Sequence, residues 1–299
     1  MAAEQAEQTV FKFTQVSDII SGMDNRKRIF EELFSRYGTV TRARGCFLYT
    51  KKGVRITDLY QENGRAVLGW GGGAAFTRLK NTLNRGATGS YIMEEKPGIE
   101  KAVGLLLNSE RTVRFFATKN DAVKASLRFS PEGTSVWMPW SPAGTAWETV
   151  ESAVIAPPLP WTDSLYMIAV RKDIAEKKYS GTDIPAEIKI PFPIEAAAAR
   201  AVYDMIAALQ TRSEKDWFIY DTVLTKYWTR KGPYLFPKVA EEDYTDFAIH
   251  CLDCGILVNP EFGSPSIVPF GADRGVFTKL RNSPFTGKKT QEKTECTES

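Results

Sequence analysis

The chain has 299 residues, 43% hydrophobic and 25% charged, which suffices for one large globular domain or two modest ones. It carries 39 Lys and Arg residues against 36 Asp and Glu residues, and the net charge of +3 argues against nucleic acid or an anionic membrane as the partner. No apolar stretch approaches the ~20 residues that a membrane-spanning helix needs. The sequence therefore predicts a globular protein that binds neither nucleic acid nor membrane.

The N-terminal residues and the cysteine count predict the compartment. Glu4 and Glu7 precede Val10, and no apolar segment of the signal-peptide type is present, so we expect a cytoplasmic protein. Four cysteines in a chain of this length do not form a disulfide framework, which fits reduced thiols. His250 is the single histidine, and this excludes mechanisms and metal sites that need two imidazoles.

The spacing of apolar residues predicts alternating helices and strands in the first half of the chain. The predicted elements are a helix over 17–37 that Gly38 ends, a hairpin of strands 54–60 and 65–68 around the Asn63-Gly64 turn, helices over 74–85 and 98–107, a strand at 113–116, a helix over 120–129 and a strand at 135–138. Alternation of this kind is typical of β-α units and a parallel sheet.

The second half of the chain continues this pattern. The predicted elements are an apolar strand at 165–170 of the kind found in buried parallel sheets, an alanine-rich helix over 194–209, a helix over 242–254 that Gly255 ends, and a strand at 256–258. Beyond Phe285 there is no large apolar residue, so we expect a disordered tail.

Three consecutive glycines, Gly71, Gly72 and Gly73, precede the predicted helix 74–85. Their amides could cradle a phosphate at the helix N-terminus, where the helix carries a partial positive charge. The segment matches neither the dinucleotide-binding pattern nor the P-loop. A tight turn, which glycine permits without any ligand, is the favoured interpretation, and the phosphate cradle is the alternative.

Cys251 and Cys254 have the spacing of a zinc or redox pair and lie beside His250. The chain has no second pair of this kind, and cysteines three residues apart near the end of a helix also pack inward as small apolar side chains. We therefore predict no metal site, and we expect His250 to be a structural helix residue rather than a catalytic base.

Several segments, in the same order along the chain, resemble class III aminotransferases, the pyridoxal-phosphate (PLP) enzymes of the glutamate-1-semialdehyde aminomutase type. The similar segments are Arg55 to Gly69, Val113 to Phe116, Ala122 to Arg128, Pro158 to Pro160, Arg171 to Ile174, Phe192 to Ala199, Asp253 to Leu257 and Pro265 to Pro269. Together they span about residues 45 to 285, and the collinear order carries the resemblance.

The resemblance implies a reduced PLP-transferase type I-like α/β fold, with a mostly parallel central sheet flanked by helices and a small α+β domain built from both chain ends. The implied divisions are an N-terminal helix and hairpin segment at 1–75, a reduced large domain at 76–210, a C-terminal small domain at 211–285 and the tail at 286–299. Members of this family are homodimers with the site at the subunit interface, so the resemblance also implies a homodimer.

The residues that carry chemistry in the family are missing from this sequence. The family's Schiff-base lysine lies seven residues before the proline of its G-G-G-L-P motif, and counting back from Pro160 reaches Ala153, which has no amine. The family's phosphate-binding S-G-T corresponds to Thr118, Lys119 and Asn120. The stretch that holds the aspartate partner of the pyridine nitrogen is omitted between Trp140 and Ala153.

We therefore expect an aminotransferase-like protein that has lost catalysis and has no bound PLP. Its expected role is non-enzymatic: it binds a small anion in a remnant cleft near Gly71 to Gly73 and Thr118 to Asn120, or it assembles as a homodimer or with a paralogue. The alternative is an active PLP-dependent transaminase or aminomutase acting on an amino acid. In that case Lys119 or Lys189 would have replaced the family's lysine.

Overall fold

The computed structural model describes residues 16–91, 93, 98–141, 144–177 and 185–287. The helices are α1 (Val16–Tyr37), α2 (Gly73–Asn84), α3 (Ile99–Leu106), α4 (Lys119–Phe129), α5 (Lys172–Lys177), α6 (Phe192–Thr211), α7 (Asp221–Leu224), α8 (Tyr244–Asp253) and α9 (Thr278–Asn282). The strands are β1 (Val40–Arg44), β2 (Phe47–Thr50), β3 (Arg55–Asp58), β4 (Arg111–Phe116), β5 (Ser135–Val136), β6 (Ser152–Ile155), β7 (Tyr166–Arg171), β8 (Trp228–Lys231), β9 (Tyr234–Pro237), β10 (Ile256–Leu257) and β11 (Ser266–Ile267). The predicted tail lies mostly on residues 288–299, outside the described residues.

The six predicted helices are confirmed, and their ends agree within two residues. Local signals set these ends. α1 stops before Gly38, whose φ of 73° only glycine adopts readily, and α6 begins just after Pro191, with Pro193 in its first turn. None of the helices in the described part of the chain is both long and apolar enough to cross a bilayer.

The two ends of the chain share one sheet and one core. This sheet has the order β1-β2-β3-β10, and β3 pairs in parallel with β10, so Thr57 lies opposite Ile256. Buried apolar residues from 29–60 and from 217–280 pack together against it, and we call this cluster the first core. The divisions predicted at 75, 210 and 285 stay a prediction.

The central sheet is mixed rather than mostly parallel. Its order is β4-β7-β6-β5, and β7 runs antiparallel to both of its neighbours, whereas β5 and β6 pair in parallel. The link between β6 and β7 is only residues 156–165 and contains three prolines, Pro157, Pro158 and Pro160. A parallel return needs a crossover of about a dozen residues or more, usually with a helix, so this short link brings the chain back antiparallel.

Both faces of the central sheet are covered. Phe115, Ala153 and Met167 face a second core, which α3 and α6 complete. Their neighbours along the strands, such as Phe116 and Val154, face a third core, which α4 completes. Successive side chains of a strand point to opposite faces, and this alternation keeps the two cores separate.

The second strand of the predicted hairpin, 65–68, is wrong. β3 pairs with β2 on one edge and with β10 on the other, so neither edge remains for another strand. A two-residue hairpin turn of type I′ has positive φ at two residues, whereas here four successive residues, Gln61, Glu62, Asn63 and Gly64, have positive φ, at 46°, 49°, 55° and 88°. The chain continues through a left-handed turn and leaves the first core.

The alanine-rich face of α6 allows close helix packing, as its composition predicts. Ala197 and Ala201 are buried against Ala75 of α2 and against Leu159, which precedes β7. Small side chains bring the α2 and α6 backbones near each other, and a larger side chain would force them apart. The contact with α6 sets the position of α2. It therefore also sets the position of Gly71 to Gly73 at the start of α2.

We expect Ala197→Leu to lower the free energy of unfolding by about 1–3 kcal/mol, because the added methylenes overfill a close-packed contact. Chemical denaturation measures this difference. Ala207→Leu on the exposed face of the same helix is the matched control and should change stability by less than about 0.5 kcal/mol. Equal effects of the two substitutions would contradict the close packing.

Candidate functional site

Gly71 to Gly73 form the turn that starts α2, and the structure gives a physical reason for the middle glycine, Gly72. Gly72 is the N-cap of α2 with φ 62°, in the left-handed region. A side chain on Gly72 would collide with the Phe76 ring one turn later. Glycine is required here by the backbone angle and by this ring, without reference to a ligand.

Thr118, Lys119 and Asn120 start α4 and are all exposed. Thr118 Oγ1 accepts a hydrogen bond from the backbone N–H of Asp121 at 3.1 Å and donates one to the Asp121 carboxylate at 2.7 Å. The Asp121 carboxylate thus lies in the first turn, where the helix dipole favours negative charge. The start of α4 already has an anionic group of its own.

The two halves of the expected phosphate site pack on different parts of the fold. α2 rests on α6, on the side of the second core, whereas α4 covers the opposite face of the central sheet in the third core. A phosphate site formed jointly by Gly71 to Gly73 and Thr118 to Asn120 stays a prediction.

Ala153, which corresponds to the family's lysine, is a core residue in the middle of β6. It lies between Ala169 of β7 and Ser135 of β5, and it is fully buried in the second core. A lysine at this position would place its amine among the apolar side chains of α3 and α6, at a high desolvation cost.

Every lysine whose side chain the structure describes is exposed. These residues are Lys27, Lys51, Lys52, Lys80, Lys101, Lys119, Lys124, Lys172, Lys189, Lys215, Lys226, Lys231, Lys238 and Lys279. A Schiff-base lysine works from a desolvated pocket that lowers the amine's pKa. Lys119 and Lys189, the two alternatives for this role, have no such pocket, so this part of the chain does not fit a covalently held PLP.

The cysteine pair packs into the first core. Cys251 is fully buried, and burial raises the pKa of its thiol well above the ordinary value. Cys254 Sγ lies 3.9 Å from His250 Nε2, and that imidazole nitrogen lies 2.8 Å from the Ser283 carbonyl oxygen. Within the described ranges, no group of three or more His, Cys, Asp or Glu side chains is arranged to hold a metal ion.

A buried carboxylate directs the chain from the first core to the second. Asp58, at the end of β3, is fully buried, and its Oδ1 accepts hydrogen bonds from the backbone N–H groups of Tyr60 and Gln61, both at 2.9 Å. Its Oδ2 accepts one from the Trp70 indole at 2.7 Å. Burial raises the pKa of Asp58 to about 6, although these three donors oppose the rise.

The left-handed turn that follows stores backbone strain. Residues other than glycine lose roughly 1–2 kcal/mol each in this conformation, and Gln61, Glu62 and Asn63 adopt it in succession. Asn259 Nδ2 donates to Asn63 Oδ1 at 2.9 Å and so ties the turn to the segment after β10. Strain of this kind is found most often at functional sites.

The strained turn presents Glu62 to a charged cluster, which we call the acidic recess. Its carboxylates are Glu62, Asp163 and Glu261, and they surround the guanidinium of Arg26 from α1 at 3.9, 3.8 and 3.9 Å. Arg65 closes one side of it. Its buried guanidinium donates to the Leu165 carbonyl at 2.5 Å and to Asp163 Oδ1 at 3.1 Å.

Comparison with solved structures identifies the fold. An acetylornithine aminotransferase from Elizabethkingia anophelis superposes with a TM-score of 0.56 and 13% identity, covering 84% of this chain and 96% of that one. The ornithine δ-aminotransferase of Plasmodium falciparum gives a TM-score of 0.59 at 10% identity, covering 86% and 96%. The chain has an aminotransferase-like fold. At these identities the likeness shows the fold alone.

The aminotransferase-like chain also has sequence relatives in two spirochaetes. An uncharacterised protein of Treponema pallidum is 27% identical over 291 residues, covering 80% of this chain and 91% of that protein. An uncharacterised protein of Borreliella burgdorferi is 24% identical over 262 residues, covering 86% and 93%. No family model matches the chain.

The acidic recess of the aminotransferase-like chain is not predicted by its sequence. Arg26, Glu62, Asp163 and Glu261 come from distant segments, and none belongs to a motif with regular spacing. The local signal is the turn sequence Glu62-Asn63-Gly64, which predicts a hairpin. A left-handed turn that points a carboxylate inward is a tertiary feature, which no local pattern reveals.

We expect Asp58→Asn to change how stability depends on pH. The folded pKa of Asp58, about 6, lies above its ordinary value of 3.8, so the folded state holds the proton more tightly than the unfolded chain. Asp58 therefore stabilises the fold at low pH, and this contribution is lost as pH rises from about 4 to 6. The stability of the native protein relative to Asp58→Asn should fall over this window, as measured by urea unfolding.

Glu132→Gln, at an exposed position between α4 and β5, is the control for this experiment and should keep the pH dependence of the native protein. A constant difference between the native protein and Asp58→Asn across the window would show that Asp58 does not titrate there.

Proposed function

We propose that this aminotransferase-like chain does not catalyse PLP-dependent chemistry and acts instead by assembly or by binding a small molecule. The observation that carries the proposal is the exposure of every lysine whose side chain the structure describes, together with the burial of Ala153 where the family's lysine is expected. None of these lysines offers the desolvated amine that covalent capture of the cofactor and the following proton transfer need.

Assembly has the stronger support of the two roles. Leu83 of α2, Tyr91 after it and Leu105 of α3 are 48%, 58% and 56% exposed. α2 and α3 both rest on α6, so these large apolar side chains lie on elements of one layer. Exposed apolar side chains on neighbouring elements are typical of a protein interface. A second copy of this chain is the occupant that we propose, as the resemblance implies, and a paralogue is the alternative.

A small anion at the exposed start of α4 is the second role. Lys119 and the backbone amides of the first turn would bind it, as helix N-termini bind phosphate. The Asp121 carboxylate already occupies the favourable position in this turn and would repel a second anion. For this reason we rank anion binding at Thr118 to Asn120 below assembly.

The absence of catalysis is testable on the purified protein. We expect the native material to lack a near-visible absorption band, and borohydride treatment to leave its intact mass unchanged. An active aminotransferase carried through the same procedure is the positive control. A stoichiometric PLP adduct on one lysine would establish the alternative, an active transaminase or aminomutase, and peptide mapping would show whether Lys119 or Lys189 holds it.

The assembly role predicts a homodimer that a charge in the apolar layer disrupts. We expect light scattering with size-exclusion chromatography to give twice the chain mass for the native protein. Leu105→Glu should give the single-chain mass, because it buries a carboxylate in the interface. Lys124→Glu, at an exposed position of α4 on the opposite face of the central sheet, is the matched control and should stay dimeric. A monomeric native protein would contradict the homodimer.

A further inference from the structure

The three carboxylates of the acidic recess share one cation without bonding it closely. Glu62 Oε1 lies 3.9 Å from an Arg26 nitrogen, Asp163 Oδ2 lies 3.8 Å away and Glu261 Oε1 lies 3.9 Å away. A charge-assisted hydrogen bond is about 2.7–2.9 Å long, so Arg26 neutralises these oxygens without satisfying them. Three acceptors with unused lone pairs thus converge from three separate segments of the chain.

The Tyr60 hydroxyl is a second, independent sign of a ligand. Tyr60 is 2% exposed, and its Oη has no hydrogen-bond partner among the described residues. Burial is the largest effect on the pKa of this hydroxyl, and it raises that pKa. The next effects come from the charges of Glu62, Arg26, Asp163 and Glu261, which are the residues of the acidic recess. A buried hydroxyl without a partner destabilises the folded state, and this one belongs to a ring whose centroid lies 5.9 Å from the Arg26 guanidinium carbon at the centre of the recess.

The acidic recess has too little positive charge for its carboxylates. Arg65 already uses its guanidinium on the Leu165 carbonyl and on the other oxygen of Asp163. Tyr166 Oη also donates to Asp163 Oδ1, and Ser264 Oγ donates to Glu261 Oε2 at 3.3 Å, so the oxygens that face Arg26 are Glu62 Oε1, Asp163 Oδ2 and Glu261 Oε1. Burial raises the pKa of Glu62, against the effect of Arg26, so this carboxylate is one that an added cation would stabilise.

We propose that the acidic recess binds a small organic cation with a primary ammonium group, which displaces the Arg26 guanidinium from among Glu62, Asp163 and Glu261 and donates a hydrogen bond to Tyr60 Oη. An ammonium group is compact, and its three donors point in different directions, which suits acceptors that converge from three segments. The flat fork of a guanidinium suits one carboxylate at a time. The aromatic rings of Phe30 and Tyr60, 6.0 and 5.9 Å from the Arg26 guanidinium carbon, offer further attraction for a cation.

Arg26 is able to leave the recess. Its side chain is 34% exposed and extends from the surface helix α1, so the guanidinium can swing into water where it remains solvated. In the absence of ligand, Arg26 holds the three carboxylates together as an internal cation. The proposal is independent of catalysis and of assembly, since none of these residues belongs to the expected phosphate site or to the exposed layer of α2 and α3.

Isothermal titration calorimetry of the full chain with 1,4-diaminobutane at low ionic strength tests the proposal. We expect saturable binding of one diamine, and no binding of the uncharged analogue 1,4-butanediol. Glu261→Gln should weaken the affinity by about tenfold, because it removes one charge-assisted contact. Tyr60→Phe should weaken it several-fold and should fold well, since it removes a hydroxyl that has no partner.

Arg26→Gln distinguishes displacement from a merely structural ion cluster. If the ligand competes with Arg26, this variant should bind the diamine about tenfold more tightly than the native chain. Glu31→Gln, a neutralised carboxylate on the exposed side of α1, is the matched control and should bind like the native chain. Circular dichroism confirms that each variant is folded.

Several results would overturn the proposal. These are a lack of diamine binding by both the native chain and Arg26→Gln, an affinity that Glu261→Gln and Tyr60→Phe leave unchanged, or weaker binding by Arg26→Gln. A titration in which calcium ions bind and the diamine does not would show a metal site instead.

Discussion

The Asp58 carboxylate is the constraint on which the connection between the two main cores depends. It ends the strand that joins both chain ends, and two backbone amides and one indole hold it. Hydrogen bonds to a charged acceptor contribute about 1.5–3 kcal/mol each, and here they offset part of the cost of burying the charge, since burial still raises the pKa of Asp58. Because both amides belong to the next residues along the chain, the same contacts that satisfy the carboxylate bend the backbone into the left-handed turn.

The turn has consequences on both of its sides. Towards the first core, the backbone N–H of Ile267 donates to the Leu59 carbonyl at 2.7 Å and fixes the C-terminal segment beside β3. On the side of the second core, the turn places Glu62 and Arg65 beside the loop before β7, which contains Asp163. The acidic recess is thus a product of the connection between the cores, and its charges come from segments that meet only there.

The chain has an aminotransferase-like scaffold, with a central sheet that helices cover on both faces. The positions at which the resemblance places contacts to the cofactor are a buried alanine, a capped helix start and a glycine turn. A fold and a function are separable in general, because packing depends on the apolar pattern of many residues, whereas catalysis depends on a few polar ones. The fold alone therefore does not assign an activity to this chain.

The sequence by itself determined the helices, because apolar periodicity and the glycine and proline signals at their ends act within a few residues. The sequence also shows that alanine, which has no side-chain amine, stands at position 153, where the resemblance expects the Schiff-base lysine. Only the tertiary structure decided the direction of β7, the fate of residues 65–68 and the grouping of Arg26 with Glu62, Asp163 and Glu261. Strand direction depends on which edges are already paired, and a charged cluster depends on which distant segments meet. Both are set by long-range contacts, which leave no spacing to read along the chain.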